Sequence, residues 1–172
     1  MASPQKDQSI SVGLRVRPLN STELGLGCDS IWRLENSSVV EASQHGGDGA
    51  RYSYDHVFEA GGSTSDIHSR MVLPILGSCL EGFNGSLFAY GQTSSGKTYT
   101  LLGTPSEPGI IVLSVHDLYD LIAERSGTTQ FLVRASYYEI YNERVRDLIT
   151  GSARPAIHCP HTPTMIVGAL FL

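Results

Sequence analysis

Eight consecutive residues, Gly91-Gln92-Thr93-Ser94-Ser95-Gly96-Lys97-Thr98, leave this chain few architectures to choose from. They fit G-x-x-x-x-G-K-[ST] without a mismatch and follow directly on the apolar run Leu87-Phe88-Ala89-Tyr90. A short continuous apolar run of that kind reads as a strand buried in a parallel sheet. The two glycines let the backbone curl so that successive N–H groups point inward at an anion. Lys97 then supplies a point charge for β- and γ-phosphates, and the Thr98 hydroxyl a ligand for Mg²⁺. The helix that opens at Gly96 aims the positive end of its dipole at the same anion. The bland alternative is a chance match in a loop rich in Gly, Ser and Thr. A strand before the loop and a helix start after it weigh against chance.

About 90 residues precede the loop, whereas small GTPases and nucleotide kinases carry it after their first strand. Ile10, Val12, Leu14 and Val16 alternate with Ser11, Gly13, Arg15 and Arg17, which predicts a strand closed by Pro18 and Asn20. Short strands are expected over Ser30–Val40 and Arg51–Phe58, with a loop or hairpin tip over Glu41–Gly49. Ser63 to Asp66 are helix N-cap types, and Ile67, Met71, Ile75 and Cys79 then recur on one helical face. Pro74 inside that pattern predicts a kink or a fresh start, and Gly82, Asn84 and Gly85 an end. After the breakers Pro105, Pro108 and Gly109, a helix is expected on Ile111, Val115, Leu118 and Ile122, ending near Gly127. The alternation of Phe131, Val133, Ala135 and Tyr137 predicts a long strand to about Tyr141, and Val145–Ile149 a further short strand or turn. Strands and helices in this order make an α/β chain around a largely parallel sheet.

The 172 residues suit one domain, and a formal charge of −5 without a basic cluster speaks against nucleic acid or an anionic membrane as partner. Met1–Ser9 is polar, and no run approaches the roughly 18 apolar residues of a membrane helix, so no membrane insertion is expected. Cys28, Cys79 and Cys159 are far apart and odd in number, which reads as free thiols in a reducing compartment. His158, Cys159 and His161 match no zinc spacing and read as a plain loop. Asn-Lys-x-Asp, which reads guanine, does not occur, so the nucleotide is expected to be ATP.

Four segments carry a family likeness. They are Leu14-Arg15-Val16-Arg17-Pro18-Leu19-Asn20, Tyr54-Asp55-His56-Val57-Phe58, the stretch from Leu80-Glu81-Gly82-Phe83-Asn84-Gly85 through Gly91–Thr100, and Tyr137-Tyr138-Glu139-Ile140-Tyr141-Asn142-Glu143 with Val145 to Leu148. In order and spacing the chain resembles a kinesin motor domain. The likeness is clearest over residues 9–149, with 150–172 divergent, so residues 1–172 are expected to be the N-terminal part of such a domain. The resemblance implies a P-loop NTPase fold with a central, mostly parallel sheet and helices on both faces, here truncated. It implies ATP and Mg²⁺ as cofactors and microtubules as partner, with ATP hydrolysis coupled to movement along them in the cytoplasm, on the cytoskeleton. Oligomeric state is left open. It also places Arg15 and Pro18 in an adenine pocket, with Tyr99 stacking on the base from the other side. Taken alone, Tyr99 would read as core and Arg15 as a solvated charge at a strand edge, and the Tyr137, Tyr138 and Tyr141 cluster as scaffold.

The family's switch I run, Asn-x-x-Ser-Ser-Arg-Ser-His, and its switch II run, Asp-Leu-Ala-Gly-Ser-Glu, do not occur among the 172 residues. No catalytic residue is therefore assigned, and inactivity of the chain by itself is expected. The apolar stretch Met165–Leu172 echoes a family strand and is read as a truncation point. A second reading is a truncated kinesin-like protein without motor activity, serving as a nucleotide-binding or interaction module. A third, some other P-loop NTPase, would need an apolar strand ending in Asp. Asp147 follows the polar Arg146 instead.

Overall fold

The computed structural model describes residues 10–42, 48–127, 129–151 and 165–169. The first strand, β1, is only Gly13–Arg15, shorter than its alternating pattern over 10–16. Helix α1 (Ser21–Gly25) follows at once. Asn20 Oδ1 accepts from Glu23 N at 2.8 Å and Glu23 Oε2 accepts from Asn20 N at 2.7 Å, a complete capping box. Strands β2 (Trp32–Glu35), β3 (Ser38–Ala42) and β4 (Asp48–Ser53) form an antiparallel meander. The two expected strand regions thus hold four strands, the last being β5 (His56–Phe58). The expected tip over 41–49 is narrower, since β3 reaches Ala42 and β4 starts at Asp48, with 43–47 outside the described residues. β5 pairs in parallel with β1, Gly13 to His56 through Arg15 to Phe58. That three-residue register is what limits β1, because alternation provides a face but only a neighbour provides hydrogen bonds.

Ser63 Oγ accepts from Asp66 N at 3.1 Å and starts α2 (Thr64–Ile67). The chain continues through a π-helical turn, His68–Val72, into α3 (Leu73–Leu80). Leu73 N–H reaches back five residues to His68 O, and Pro74, which has no N–H to give, sits in the first turn of the renewed α-helix. The extra residue of the π turn rotates the buried stripe. Ile67 is followed inward by Val72 and Leu76, both almost fully enclosed, while the expected Met71 and Ile75 are half-buried.

Strand β6 (Gly85–Ala89) alternates: Gly85, Leu87 and Ala89 face the packed side, and Ser86 and Phe88 face out. The expectation of a buried run is corrected here, since Phe88 is 70 % and Tyr90 78 % exposed. The packed side lies so close to α3 that a Cβ on Gly85 would stand 3.0 Å from Cys79 Sγ. Helix α4 (Lys97–Leu101) and the 16-residue α5 (Ile110–Arg125) follow, separated by the proline-containing turn. α5 buries Ile110 and Ser114, one position off the expected stripe, and leaves Val115 half exposed.

The expected long strand over 131–141 reduces to β7 (Tyr138–Tyr141), hairpin-paired with β8 (Arg144–Asp147) through Asn142 and Glu143, both at positive φ. Tyr137 O still accepts from Leu148 N at 2.8 Å, but residues 131–136 have no strand beside them among the described residues, and Leu132 is 77 % exposed. β9 (Met165–Ala169) lies parallel to β6, where the apolar end of the sequence echoed a strand. The region of His158, Cys159 and His161 is outside the described residues, while Cys28 and Cys79 are free thiols. No helix among the described residues is long and apolar enough to cross a membrane. Phe58, Ile67, Val72, Leu101 and Ile110 form the buried core, with Met71, Leu87, Ala89 and Ile111 packed against it. The core therefore grips β6 just before the octapeptide and Leu101 of α4 just after it.

Candidate functional site

Residues 90–96 span from the end of β6 to the start of α4. With Leu87 and Ala89 on one side and Leu101 on the other held by the core, both ends of the loop are fixed. Gly91 (φ 155°), Ser94 (φ 65°) and Gly96 (φ 99°) take the left-handed region that curls a chain around an anion. A Cβ on Gly91 would lie 2.6 Å from Ser95 Oγ, a side-chain end that can turn away, so the backbone conformation is what favours glycine there. At Gly96, the N-cap of α4, nothing lies within 4 Å of such a Cβ, and the backbone angle alone sets the requirement. Ser95 N donates to Gln92 O at 3.2 Å and tightens the turn.

Lys97 is buried, and its Nζ donates to Gly91 O at 2.5 Å and Gln92 O at 2.8 Å. The ammonium is thus laid across the beginning of the loop, where a phosphate oxygen would compete with two carbonyls for it. Thr98, in the first turn of α4, keeps an exposed side chain. Thr93 and Gln92 are exposed on the loop's outer rim. These residues fit a triphosphate with its magnesium: a curled backbone, a held cation and an accessible hydroxyl.

Beside the loop a second group of side chains converges. Arg15, from β1, donates through Nη1 to Thr64 Oγ1 at 3.1 Å and Thr100 Oγ1 at 2.9 Å, and through Nη2 to Gly62 O at 3.0 Å. Its guanidinium carbon stands 5.1 Å from the centroid of the Tyr99 ring, a cation–π contact. Tyr99 OH donates to Glu107 Oε2 at 2.6 Å, and Glu107 Oε1 accepts from Thr64 N at 2.9 Å. The hydrogen bond to Glu107 raises the Tyr99 phenol above its ordinary pKa. The Tyr99 hydroxyl, with the Thr64 N–H, holds the Glu107 carboxyl below its own.

Arg15 and Tyr99, expected on opposite sides of a base, are instead in direct contact with each other. Pro18 has no part in this network; it is exposed, and its carbonyl accepts from Arg17 Nη1 at 3.0 Å. Sequence reasoning missed Glu107 and Thr100. Glu107 sits among prolines that read only as a break, and no local pattern announces a contact with residues 43 positions away.

The sequence pattern of the kinesin motor domain matches residues 15–168. The chain belongs to the kinesin motor domain family. Centromere-associated protein E of Homo sapiens is 37% identical over 152 residues, 87% of this chain and 5% of its own length. Kinesin-related protein 4 of Dictyostelium discoideum is 42% identical over 140 residues, 81% of this chain and 7% of its own. A fast kinesin, solved for its ATPase mechanism and interactions with microtubules, matches with a TM-score of 0.78 and 34% identity. That match covers 86% of this kinesin chain and 43% of the solved one. The chain thus spans less than half of the solved structure and a small part of these curated relatives. The parallel pairs β1–β5 and β6–β9, with their helices, are part of the kinesin motor fold.

Proposed function

We propose that this chain is the nucleotide-binding, N-terminal part of a kinesin motor domain, and that it takes MgATP at Gly91–Thr98. The observation that carries the reading is the loop itself: three left-handed residues between a core-anchored strand and helix, with a buried lysine across the entry. Backbone N–H groups of residues 91–97 would wrap the phosphates, Lys97 would move its ammonium from the loop carbonyls to the phosphate oxygens, and Thr98 would hold Mg²⁺. The magnesium supplies charge neutralisation between the phosphates. Tyr99, backed by Arg15, and Pro18 would form the adenine side of the site. In the whole protein, ATP hydrolysis would be coupled to movement along microtubules, in the cytoplasm and on the cytoskeleton, as family membership supports.

The test is titration with a fluorescent ATP analogue, with and without magnesium. Binding that is saturable, strengthened by magnesium and weakened in Thr98→Ala supports the site. Binding indifferent to both removes it.

A further inference from the structure

Glu107 lies in the turn between α4 and α5 and spends its two carboxylate oxygens on different elements. Oε1 takes the backbone N–H of Thr64, the first residue of α2, and Oε2 takes the hydroxyl of Tyr99 on α4. Thr64 is fully buried, so the carboxylate is referenced to a fixed point of the fold. Tyr99 is 41 % exposed, and the bond at its hydroxyl end fixes the direction of the ring.

Arg15 covers one face of that ring. A flat base sandwiched between guanidinium and ring would need two successive contacts of about 3.5–4.0 Å, or about 7–8 Å in all. The observed 5.1 Å leaves no such gap, and three hydrogen bonds to Gly62, Thr64 and Thr100 hold the guanidinium where it is. The opposite face of Tyr99 is the one a base can use.

We propose that Glu107 is a positioning residue for base recognition. It clamps the Tyr99 hydroxyl so that the ring, backed by Arg15, presents its free face as a preset stacking platform for the base of the nucleotide. This rests on the nucleotide reading of the Gly91–Thr98 loop. A preset platform loses less freedom when the base binds, so the clamp acts on affinity for the base and leaves the phosphates' own affinity alone.

The experiment compares MgATP with inorganic tripolyphosphate, which has the phosphates and no base, by calorimetric titration. Glu107→Ala is expected to weaken ATP about three- to tenfold, the range of one lost hydrogen bond, and to leave tripolyphosphate unchanged. Glu107→Gln, which can still bond both partners, restores most of the loss. In a Tyr99→Phe background, Glu107→Ala has no further effect on the ATP-to-tripolyphosphate ratio. If Glu107→Ala does not fold, Tyr99→Phe deletes the same bond from the other end and gives the same comparison. Equal losses for both ligands, or none for ATP, overturn the proposal. Lys97→Ala separates the two readings. If it leaves tripolyphosphate binding intact, the phosphate loop assignment fails; if it abolishes binding while the Glu107 variants keep the ratio unchanged, only the positioning role fails.

Discussion

The ammonium of Lys97 rests 2.5 Å from the carbonyl oxygen of Gly91, the residue that begins the loop it will serve. The contact closes the loop on itself and keeps a buried cation hydrogen-bonded, as a buried charge requires. Gly91 and Lys97 thus make the loop's curvature and the position of its charge one structural fact.

Replacing Lys97 by Ala is expected to weaken nucleotide binding about ten- to a hundredfold or more, the scale of a charge-assisted hydrogen bond to phosphate. Fluorescence titration with an ATP analogue reads it. An undiminished signal would remove the loop from the site.

ATP is expected to compete with the analogue better than GTP does, and Arg15→Ala or Tyr99→Phe should narrow the difference. The stack of Arg15 on Tyr99 offers an aromatic surface, and the guanine-reading Asn-Lys-x-Asp is absent from the sequence. Equal competition by the two nucleotides counts against an adenine pocket.

Phosphate release by the 172-residue chain is expected not to rise when polymerised tubulin is added. A cradle that holds substrate and transition state alike does not raise turnover. Neither switch run occurs in the sequence, and the net charge is −5. Stimulation by tubulin that disappears in Lys97→Ala would show that these residues are enough for catalysis.

Leu76→Ala is expected to cost about 2–5 kcal/mol in urea unfolding, the range for emptying a core leucine site. Leu76 is 1 % exposed. Ile75→Ala should cost less, because the π turn leaves Ile75 half-buried. The reverse order would mean that the helix runs through Pro74 in regular α register.

Stability should decline as pH falls below 6.5, the ordinary value for His68. His68 is enclosed, with Nδ1 3.5 Å from Asp117 Oδ2, and burial lowers its pKa despite that carboxylate. A folded pKa below the unfolded one means a contribution that is complete above 6.5 and lost as pH falls through the lower, folded value. Urea midpoints across that range should show the decline in the native protein and a flatter profile in His68→Gln.

Local chemistry determined a good deal by itself. The octapeptide, its strand before and its helix after, the cap at Ser63 and the start of α5 near Ile111 all follow from neighbouring residues, and all are found. The capping box of α1 is equally legible in Asn20 and Glu23. Only tertiary structure decided the rest. Alternation over 10–16 and 131–141 offered strand faces, but among the described residues backbone bonds to a neighbouring segment run only over Val12–Val16 and Tyr137–Tyr141, and a strand needs a neighbour for its hydrogen bonds. The buried stripe of the helix from Ser63 turned from Met71 and Ile75 to Val72 and Leu76, because one inserted residue shifts every later side chain around the axis. The meeting of Arg15, Tyr99 and Glu107 has no local signature, since those residues come from β1, α4 and a turn that the core brings together.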